Sequence, residues 1–196
     1  MILGLLKAGK RVGVTANSHA VCRELLGKVV ALDRSLVKAV HLQDDDDASE
    51  TPPPFELDDD KPRVRERLRN GAVNLVGGTT WTWVSPAYAG SVDVLVIDEA
   101  GQVSLANVLA VSRAASAVVL VGDPAQLEQP QKGVHPPGAD VSALQHLLGS
   151  DALTIPPELG VFLPNTRRLN RDICRFVSET FYDGRLQPLL VHDAGP

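Results

Sequence analysis

Two adjacent carboxylates, Asp98 and Glu99, follow the most apolar run of the sequence, residues 92–97 (VDVLVI). Carboxylates at the end of a buried strand are costly unless something compensates their charge, and a hydrated Mg²⁺ with a reacting water would do so. In that interpretation Asp98 holds the metal through its waters and Glu99 orients or deprotonates the attacking water, as in phosphoryl transfer. The alternative is a solvated strand end with an N-capping acid.

A second polar group follows the next apolar run, residues 117–121 (AVVLV), where Gly122 leads into Asp123 and Gln126. Asp123 lies 25 residues after Asp98, which leaves room for one helix and one strand, the minimum unit joining neighbouring parallel strands. We therefore expect both loops at one edge of a sheet, where the Gln126 amide could reach a terminal phosphate. An ordinary Asp-Pro turn would explain Gly122, Asp123 and the proline, but not the paired placement.

The elements that position these loops alternate along the chain. Apolar spacing predicts strands over 11–16, 72–76, 92–97 and 117–121, and helices over 20–40, 62–69, about 103–114 and 170–182. Uniformly apolar runs joined by helices are typical of parallel strands buried on both faces, so the predicted class is α/β, a parallel sheet with helices on both faces. Ligands of such sheets gather beyond the carboxyl ends of the strands.

The loop after the first predicted strand carries Asn17, Ser18 and His19. Small polar residues there cap the following helix, and its exposed N–H groups can also bind a nucleic-acid phosphate, so both interpretations can hold together. Trp81 and Trp83 follow the second predicted strand. A tryptophan can stack on a base but is more often part of a core, and we keep Trp81 alone as a candidate for stacking.

Taken in order, these motifs resemble a known family. DEAGQ (98–102) followed by GDPAQLEQP (122–130) resembles motifs II and III of superfamily 1 helicases of the Upf-like branch, and the surrounding sequence is similar to bacterial helicases fused to a RecB-like nuclease. ANSHA (16–20) resembles motif Ia, and GVHP (133–136) the stretch after motif III. The resemblance implies a partial RecA-like P-loop NTPase domain that uses ATP and Mg²⁺, with Asp98, Asp123 and Gln126 at the nucleotide.

The resemblance also implies a nucleic-acid partner. Residues 78–81 (GTTW) resemble the nucleic-acid-facing loop of the family, which adds Thr79 and Thr80 to Trp81 as candidate contacts. The motif Ia residues Asn17, Ser18 and His19 would contact the same strand. The implied partner is single-stranded nucleic acid, DNA before RNA.

From Gly160 onward the chain resembles the opening of the second RecA-like domain, with Thr166-Arg167-Arg168 in the place of motif IV. There Arg168 would reach the γ-phosphate, where a planar multi-donor cation suits the growing charge. The alternative is a surface arginine at a helix start. Asn170-Arg171 stands where the family commonly has a His-Pro pair. In the following helix we interpret one apolar stripe as packing residues only: Ile173, Phe176, Val177 and Phe181.

Superfamily 1 motors hold the ATP phosphates in a GxxxxGK[ST] loop, and none occurs in these 196 residues, because Gly9-Lys10 lacks both the upstream glycine and the hydroxyl. We expect residues 1–150 to be a first RecA-like domain that begins just past that loop, and 151–196 to begin the second. The partners would then include the missing helicase segments and, as in the similar bacterial proteins, a nuclease domain. The isolated chain should bind ATP weakly.

The net charge of −5 is concentrated, since nine acids and no Lys or Arg lie between Asp44 and Asp60. Together with Thr51 and the three prolines after it, this composition predicts a solvated loop insertion over about 43–61. It has neither apolar periodicity nor charge partners of its own, so we expect it to be dispensable. The rest of the chain is mildly basic, which permits phosphate contacts without requiring them.

Cys22 and Cys174 lie far apart without metal-ligand spacing, which predicts two buried free thiols. No signal peptide opens the chain, and no apolar stretch approaches the roughly 18 residues of a membrane span, so we expect a cytoplasmic protein without a membrane partner.

Two classes of function compete. The first is part of an ATP-dependent helicase, inactive alone, in which Asp98, Glu99, Gln126 and Arg168 are catalytic. The second is a non-catalytic nucleic-acid-binding or interaction remnant of such a helicase, for which the missing phosphate loop is the discriminating feature. An unrelated Mg²⁺-dependent phosphohydrolase using Asp98 and Asp123 would need further acids that the sequence does not offer.

Overall fold

The computed structural model describes residues 1–43, 52–126, 141–149 and 152–189. The acidic run 44–51, the stretch 127–140 with its GVHP segment, and the predicted domain boundary at 150–151 lie outside these residues. The contacts divide the chain into two compact units, Met1–Ala143 and Leu144–Pro196.

The first unit contains a six-stranded, fully parallel sheet with the strand order β3-β2-β4-β1-β5-β6. Its strands are β1 (Val12–Thr15), β2 (Ala39–Leu42), β3 (Glu56–Asp58), β4 (Leu75–Gly77), β5 (Val92–Ile97) and β6 (Ala115–Leu120). Its helices are α1 (Ile2–Lys7), α2 (His19–Leu32), α3 (Lys61–Arg69), α4 (Thr80–Trp83) and α5 (Leu105–Ser112). The predicted pairing of the strands before Asp98 and Asp123 is confirmed, because β5 and β6 are parallel neighbours.

Helices cover both faces of this sheet. Successive side chains of a strand point to opposite faces, and in β1 the side chains of Val12 and Val14 join the core formed with α1 and α2. Gly13 points the other way, where a Cβ would lie 2.6 Å from the Trp83 ring. Aliphatic side chains form the core on the face of Val12 and Val14. On the opposite face the Trp83 ring packs against Gly13. The predicted α/β class is therefore confirmed.

The predicted helix over 20–40 is wrong in its second half. The helix α2 ends at Leu32, and 39–42 form the strand β2. The chain turns at Asp33, whose Oδ1 accepts hydrogen bonds from the Ser35 hydroxyl at 2.8 Å and the Leu36 N–H at 3.1 Å. Apolar spacing alone missed this local competitor for the helical hydrogen bonds.

The solvated-loop interpretation of 43–61 is wrong for residues 56–58. Residues 56–58 form β3 and pair with β2, and the Asp58 side chain is fully buried. Its carboxylate accepts a hydrogen bond from Arg63 Nε at 3.0 Å, and Glu56 binds both terminal nitrogens of Arg67. The charge partners of Glu56 and Asp58 are therefore arginines of α3, which follows directly after the acidic stretch.

The predicted burial of the strand over 117–121 on both faces is also wrong. In β6, Ser116 and Ala117 are exposed and 118–120 are only half-buried. Within the described residues β6 is an edge strand of the sheet, so β5 alone pairs with it, whereas a central strand has two neighbours.

The second unit contains α6 (Ala143–Leu148, which begins at the last residue of the first unit), β7 (Asn165–Thr166), α7 (Arg171–Phe181) and β8 (Gln187–Pro188), with β7 and β8 parallel. Contrary to the prediction, the α7 stripe is not packed: Ile173 is 51%, Phe176 67% and Phe181 43% exposed. The buried side of α7 carries Cys174 and Ser178, whose side chains bind the backbone of Leu186. Both side chains are short enough to lie close to this backbone and hydrogen-bond to it.

Both cysteines are buried and free, as predicted. None of the helices in the described ranges is long and apolar enough to cross a membrane.

Candidate nucleotide and nucleic-acid site

Asp98 and Glu99 lie directly beyond β5, and both are half-buried. The Asp98 N–H donates to the carbonyl of Thr15 at 2.9 Å, which extends the pairing of β5 with β1 to the first acid. One carboxylate oxygen of Asp98, Oδ1, accepts the N–H of Glu99 at 3.0 Å. The first carboxylate is thereby held against the backbone of the second.

Glu99 adopts a left-handed backbone conformation, with φ 53° and ψ 39°. For a residue with a Cβ this costs about 1 kcal/mol or more, and such strain clusters at functional turns. Among the described non-glycine residues only Asp183 shares a positive φ. The turn directs the chain into the short 3₁₀ segment 100–102, so that the loop doubles back beside β6.

The loops after β5 and β6 interlock through their backbones. The Ala100 N–H donates to the carbonyl of Val121 at 2.9 Å. A Cβ on Gly122 would lie 2.7 Å from the Ala100 nitrogen, and a Cβ on Gly101 would collide with the Asp123 carbonyl. Both glycines are therefore required by close approach, and the two loops pack directly against each other.

Asp123 shapes its own loop. Its Oδ1 accepts the Ala125 N–H at 3.0 Å, and its carbonyl accepts the Gln126 N–H at 3.3 Å. The Asp-Pro turn considered in the sequence therefore exists, and it carries Gln126 at its exit. Asp123 is half-buried and the Gln126 side chain is exposed.

Three side-chain amides connect three strand-end loops. The Asn17 Nδ2 donates to Gln102 Oε1 at 3.1 Å, and the Gln102 Nε2 donates to Gln126 Oε1 at 3.1 Å. Sequence reasoning selected Asn17 and Gln126 but missed Gln102, whose signal was its place as the last residue of DEAGQ. We call this arrangement of Asn17, Gln102 and Gln126 the amide chain.

The loop after β1 begins α2. Ser18 caps the helix, since its hydroxyl accepts the Val21 N–H at 3.3 Å. The His19 Nδ1 lies 2.9 Å from the Nε2 of His41, a fully buried residue of β2 that sequence reasoning also missed. Asn17 and Ser18 are exposed and His19 is half-buried, so the loop combines the capping geometry with accessible polar groups.

The two tryptophans of the loop after β4 have opposite environments. Trp83 is 1% exposed, and its indole N–H points to the carbonyls of Val14 and Gly78 at 3.2 and 3.3 Å. Trp81 is 81% exposed. Thr79 and Thr80 precede it as half-buried residues at the start of α4. The predicted core role of Trp83 is confirmed, and Trp81 is left as an accessible ring.

No thiolate is available at this edge of the described sheet. Burial raises the pKa of Cys22 to about 12, and the negative charge of Asp98 also acts to raise it. Among the described residues, no three His, Cys, Asp or Glu side chains are grouped closely enough to hold a metal ion by themselves. Any metal here would therefore need oxygen ligands from water or substrate, which is the usual coordination of Mg²⁺.

Arg168 belongs to the second unit, where its side chain is exposed at the approach to α7. The backbone N–H of Arg168 donates to the Thr166 hydroxyl at 3.2 Å. Asn170 caps α7 by accepting the Ile173 N–H at 3.0 Å, so this residue begins the helix where the family commonly has His-Pro. The role of Arg168 at a γ-phosphate stays a prediction.

The parallel sheet with helices on both faces has the α/β RecA-like fold of P-loop NTPases. More particularly, a family model described as an AAA domain matches residues 4–136, more than half of the chain, and the chain belongs to that family. Domains of this class generally use a nucleotide and Mg²⁺.

Among solved structures, the chain is similar to the C-terminal part of the Fun30 ATPase domain, with 12% identity and a TM-score of 0.43. That similarity covers 60% of this chain and 36% of the Fun30 chain. No curated protein matches the chain.

Proposed function

We propose that this chain is part of an ATP-dependent helicase, a translocase that couples ATP hydrolysis to movement along single-stranded nucleic acid, DNA before RNA. One observation carries the proposal: the acid pair Asp98-Glu99, the Asp123–Gln126 loop and the Asn17 loop lie side by side at one edge of a parallel sheet. In open sheets of this kind the carboxyl edge is where ligands bind.

The residues present fit Mg²⁺ and a nucleotide. Mg²⁺ prefers carboxylate and phosphate oxygens and keeps several waters, and Asp98 offers a half-buried carboxylate already oriented by the Glu99 N–H. When bound, the metal neutralises charge on the phosphates. Glu99 then orients or deprotonates the attacking water, and the Gln126 amide donates to a terminal phosphate oxygen. The resemblance of 166–168 to motif IV makes Arg168 the candidate for further positive charge, and that role stays a prediction.

The nucleic-acid side of the proposal consists of two neighbouring loops. Helix α2 has 14 residues, and the partial positive charge of its N-terminus lies at Asn17, Ser18 and His19. An exposed ring such as Trp81 can stack on any base, whatever the sequence of the nucleic acid. Thr79 and Thr80 add hydroxyl groups beside it. This combination suits a single strand, whose bases are accessible.

Glu99→Gln tests the catalytic part of the proposal. It should be measured in a polypeptide that joins this chain to a GxxxxGK[ST] loop, because the 196 residues contain none. The amide keeps the shape of Glu99 but cannot accept the proton, so hydrolysis stimulated by single-stranded DNA should fall about 10²-fold or more with Mg-ATP binding retained. Glu66→Gln, remote on α3, is the matched control. Equal hydrolysis by parent and Glu99→Gln would refute the catalytic assignment.

The exposed Trp81 ring and the polar Asn17 loop would also serve a second candidate, a non-catalytic nucleic-acid-binding module. It predicts that the chain binds single-stranded DNA through the same loops and that Glu99→Gln changes nothing in any context. The same pair of variants therefore separates the two candidates.

A further inference from the structure

The amino edge of the six-stranded sheet, at the opposite end of the strands from Asp98 and Gln126, carries a row of basic residues. Parallel strands all begin at one edge, and bases directly precede β1 and β2 and lie two residues before β6. Further bases lie at the end of α1 and just after α2. We call this set the basic edge, and it consists of Lys7, Lys10, Arg11, Arg34, Lys38 and Arg113.

The backbone fixes these bases in a row across the sheet. Asn74 precedes β4, which lies between β2 and β1. Its Oδ1 accepts the Lys38 backbone N–H at 2.9 Å, and its carbonyl accepts the Val12 N–H at 3.0 Å. The Lys38 Nζ donates to the Gly71 carbonyl at 3.2 Å. Neighbouring strands are about 4.8 Å apart, so the row from β2 to β6 is about 20 Å long.

The positive charge of the basic edge exceeds the negative charge among its residues. Asp93 binds Arg11 Nη2 at 3.0 Å; hydrogen bonding from Arg11 lowers the pKa of Asp93, and the charge of Lys10 adds to that effect. The second acid, Asp33, is hydrogen-bonded by Ser35 and Leu36, which lower its pKa, with a smaller contribution from the charge of Lys7.

Six bases therefore stand against the two acids Asp33 and Asp93. The nearby acids Glu56 and Glu66 already bind Arg67 and Arg69. Lys10, Lys38 and Arg113 are all exposed, so their charges are accessible to a ligand.

The two ends of the strands carry opposite charge. Asp98, Glu99 and Asp123 lie at the carboxyl edge, whereas the basic edge lies at the amino edge. The chain as a whole has a net charge of −5, so the excess of positive charge is local. A polyanion that approaches the molecule is repelled by the acids and attracted to the basic edge.

We propose that the basic edge binds the phosphate backbone of double-stranded DNA, independently of base sequence. A duplex carries about one negative charge per 1.7 Å of its length, so a row about 20 Å long meets many phosphates. The duplex is also stiff, whereas an acidic peptide would lose conformational freedom in following such a row. This site is separate from the loops proposed for a single strand and needs no nucleotide, so it does not rest on the proposed function.

The experiment measures binding of a fluorescent duplex of about 20 base pairs to the 196-residue chain by anisotropy, between about 50 and 200 mM salt. In Lys10→Gln/Lys38→Gln the affinity should fall, and the slope of log K against log salt should become shallower by about 2, since each phosphate contact contributes about 0.9. Arg34→Gln/Arg113→Gln, on other elements, should act in the same way, so the test does not depend on one variant folding.

The matched control is Lys61→Gln/Arg65→Gln, which makes the same change of net charge on α3 and should bind the duplex like wild type. An equal loss in the control would mean that net charge alone is responsible, and it would overturn the proposal. So would an absence of duplex binding, an unchanged slope in both basic-edge variants, or displacement of the duplex by polyglutamate of equal total charge as readily as by unlabelled duplex.

Trp81→Ala separates this site from the loops at the carboxyl edge. We expect it to leave duplex binding unchanged, and an equal loss in Trp81→Ala would place the duplex at the carboxyl edge and overturn the proposal. Single-strand binding is measured on the same variants. Its absence would contradict the proposed function and leave the basic edge as a duplex site.

Discussion

Asp98 and Glu99 are joined by a hydrogen bond from the Glu99 N–H to the Asp98 Oδ1 at 3.0 Å, across a turn in which Glu99 is left-handed. The strain and the hydrogen bond act on the same two residues. One acid is fixed to the sheet edge while the backbone of the next is turned so that the chain doubles back to β6.

Replacing Glu99 by glycine should relieve this strain. Glu99→Gly and Glu99→Ala both remove the carboxylate, but only glycine adopts a positive φ without steric cost, so Glu99→Gly should be the more stable of the two by about 1 kcal/mol. Urea denaturation of the two variants measures the difference directly. Equal stabilities would show that the left-handed turn carries no strain in this loop.

Asp58 should contribute much more to stability than its neighbour Asp59. Asp58→Ala removes a buried carboxylate and leaves Arg63 and Arg67 without their shared partner, and we expect a loss of about 2 kcal/mol. Asp59→Ala, an exposed residue, should change stability by less than about 0.5 kcal/mol. Thermal denaturation compares them. A neutral Asp58→Ala would restore the original interpretation of the segment as a solvated loop.

The pair Arg11–Asp93 predicts a pH dependence of stability. Hydrogen bonding from the Arg11 side chain, outweighing the effect of burial, lowers the pKa of Asp93 below its usual value. A carboxyl with a lowered pKa stabilises the fold above the pKa of the unfolded chain, about 3.9, and this contribution is lost as the pH falls through the folded-state pKa. The stability difference between wild type and Asp93→Asn should therefore shrink below about pH 4. Urea titrations at several pH values measure it, and a difference that grows towards acid would contradict the sign.

Trp81 should affect binding and not folding. Its ring is 81% exposed, so Trp81→Ala should leave the melting temperature nearly unchanged but weaken binding of a single-stranded oligonucleotide by about 1–3 kcal/mol for each stacked base. Trp81→Phe keeps an aromatic face and should retain most of the affinity. Fluorescence anisotropy measures all three proteins. If Trp81→Ala binds like wild type, stacking on this ring is excluded.

The sequence by itself determined the elements that depend on local patterns. The run VDVLVI predicted β5 over the bounds it has, because an uninterrupted series of Val, Leu and Ile favours a buried strand. Spacing placed Asp98 and Asp123 on neighbouring parallel strands, since one helix fits between them. The sequence therefore assigns Asp98, Glu99, Asp123 and Gln126 to one edge of the sheet.

Only the tertiary structure decided how residues distant in the chain are paired. The amide chain joins positions 17, 102 and 126, and its hydrogen bonds depend on the strand order and on two glycines that let loops touch. Trp81 and Trp83 have similar local sequences, yet the space over Gly13 buries one and leaves the other exposed. Asp58 looked unpaired because its arginines lie in the next helix. In each case the outcome depends on which surfaces meet in the fold, and periodicity along the chain carries no information about that.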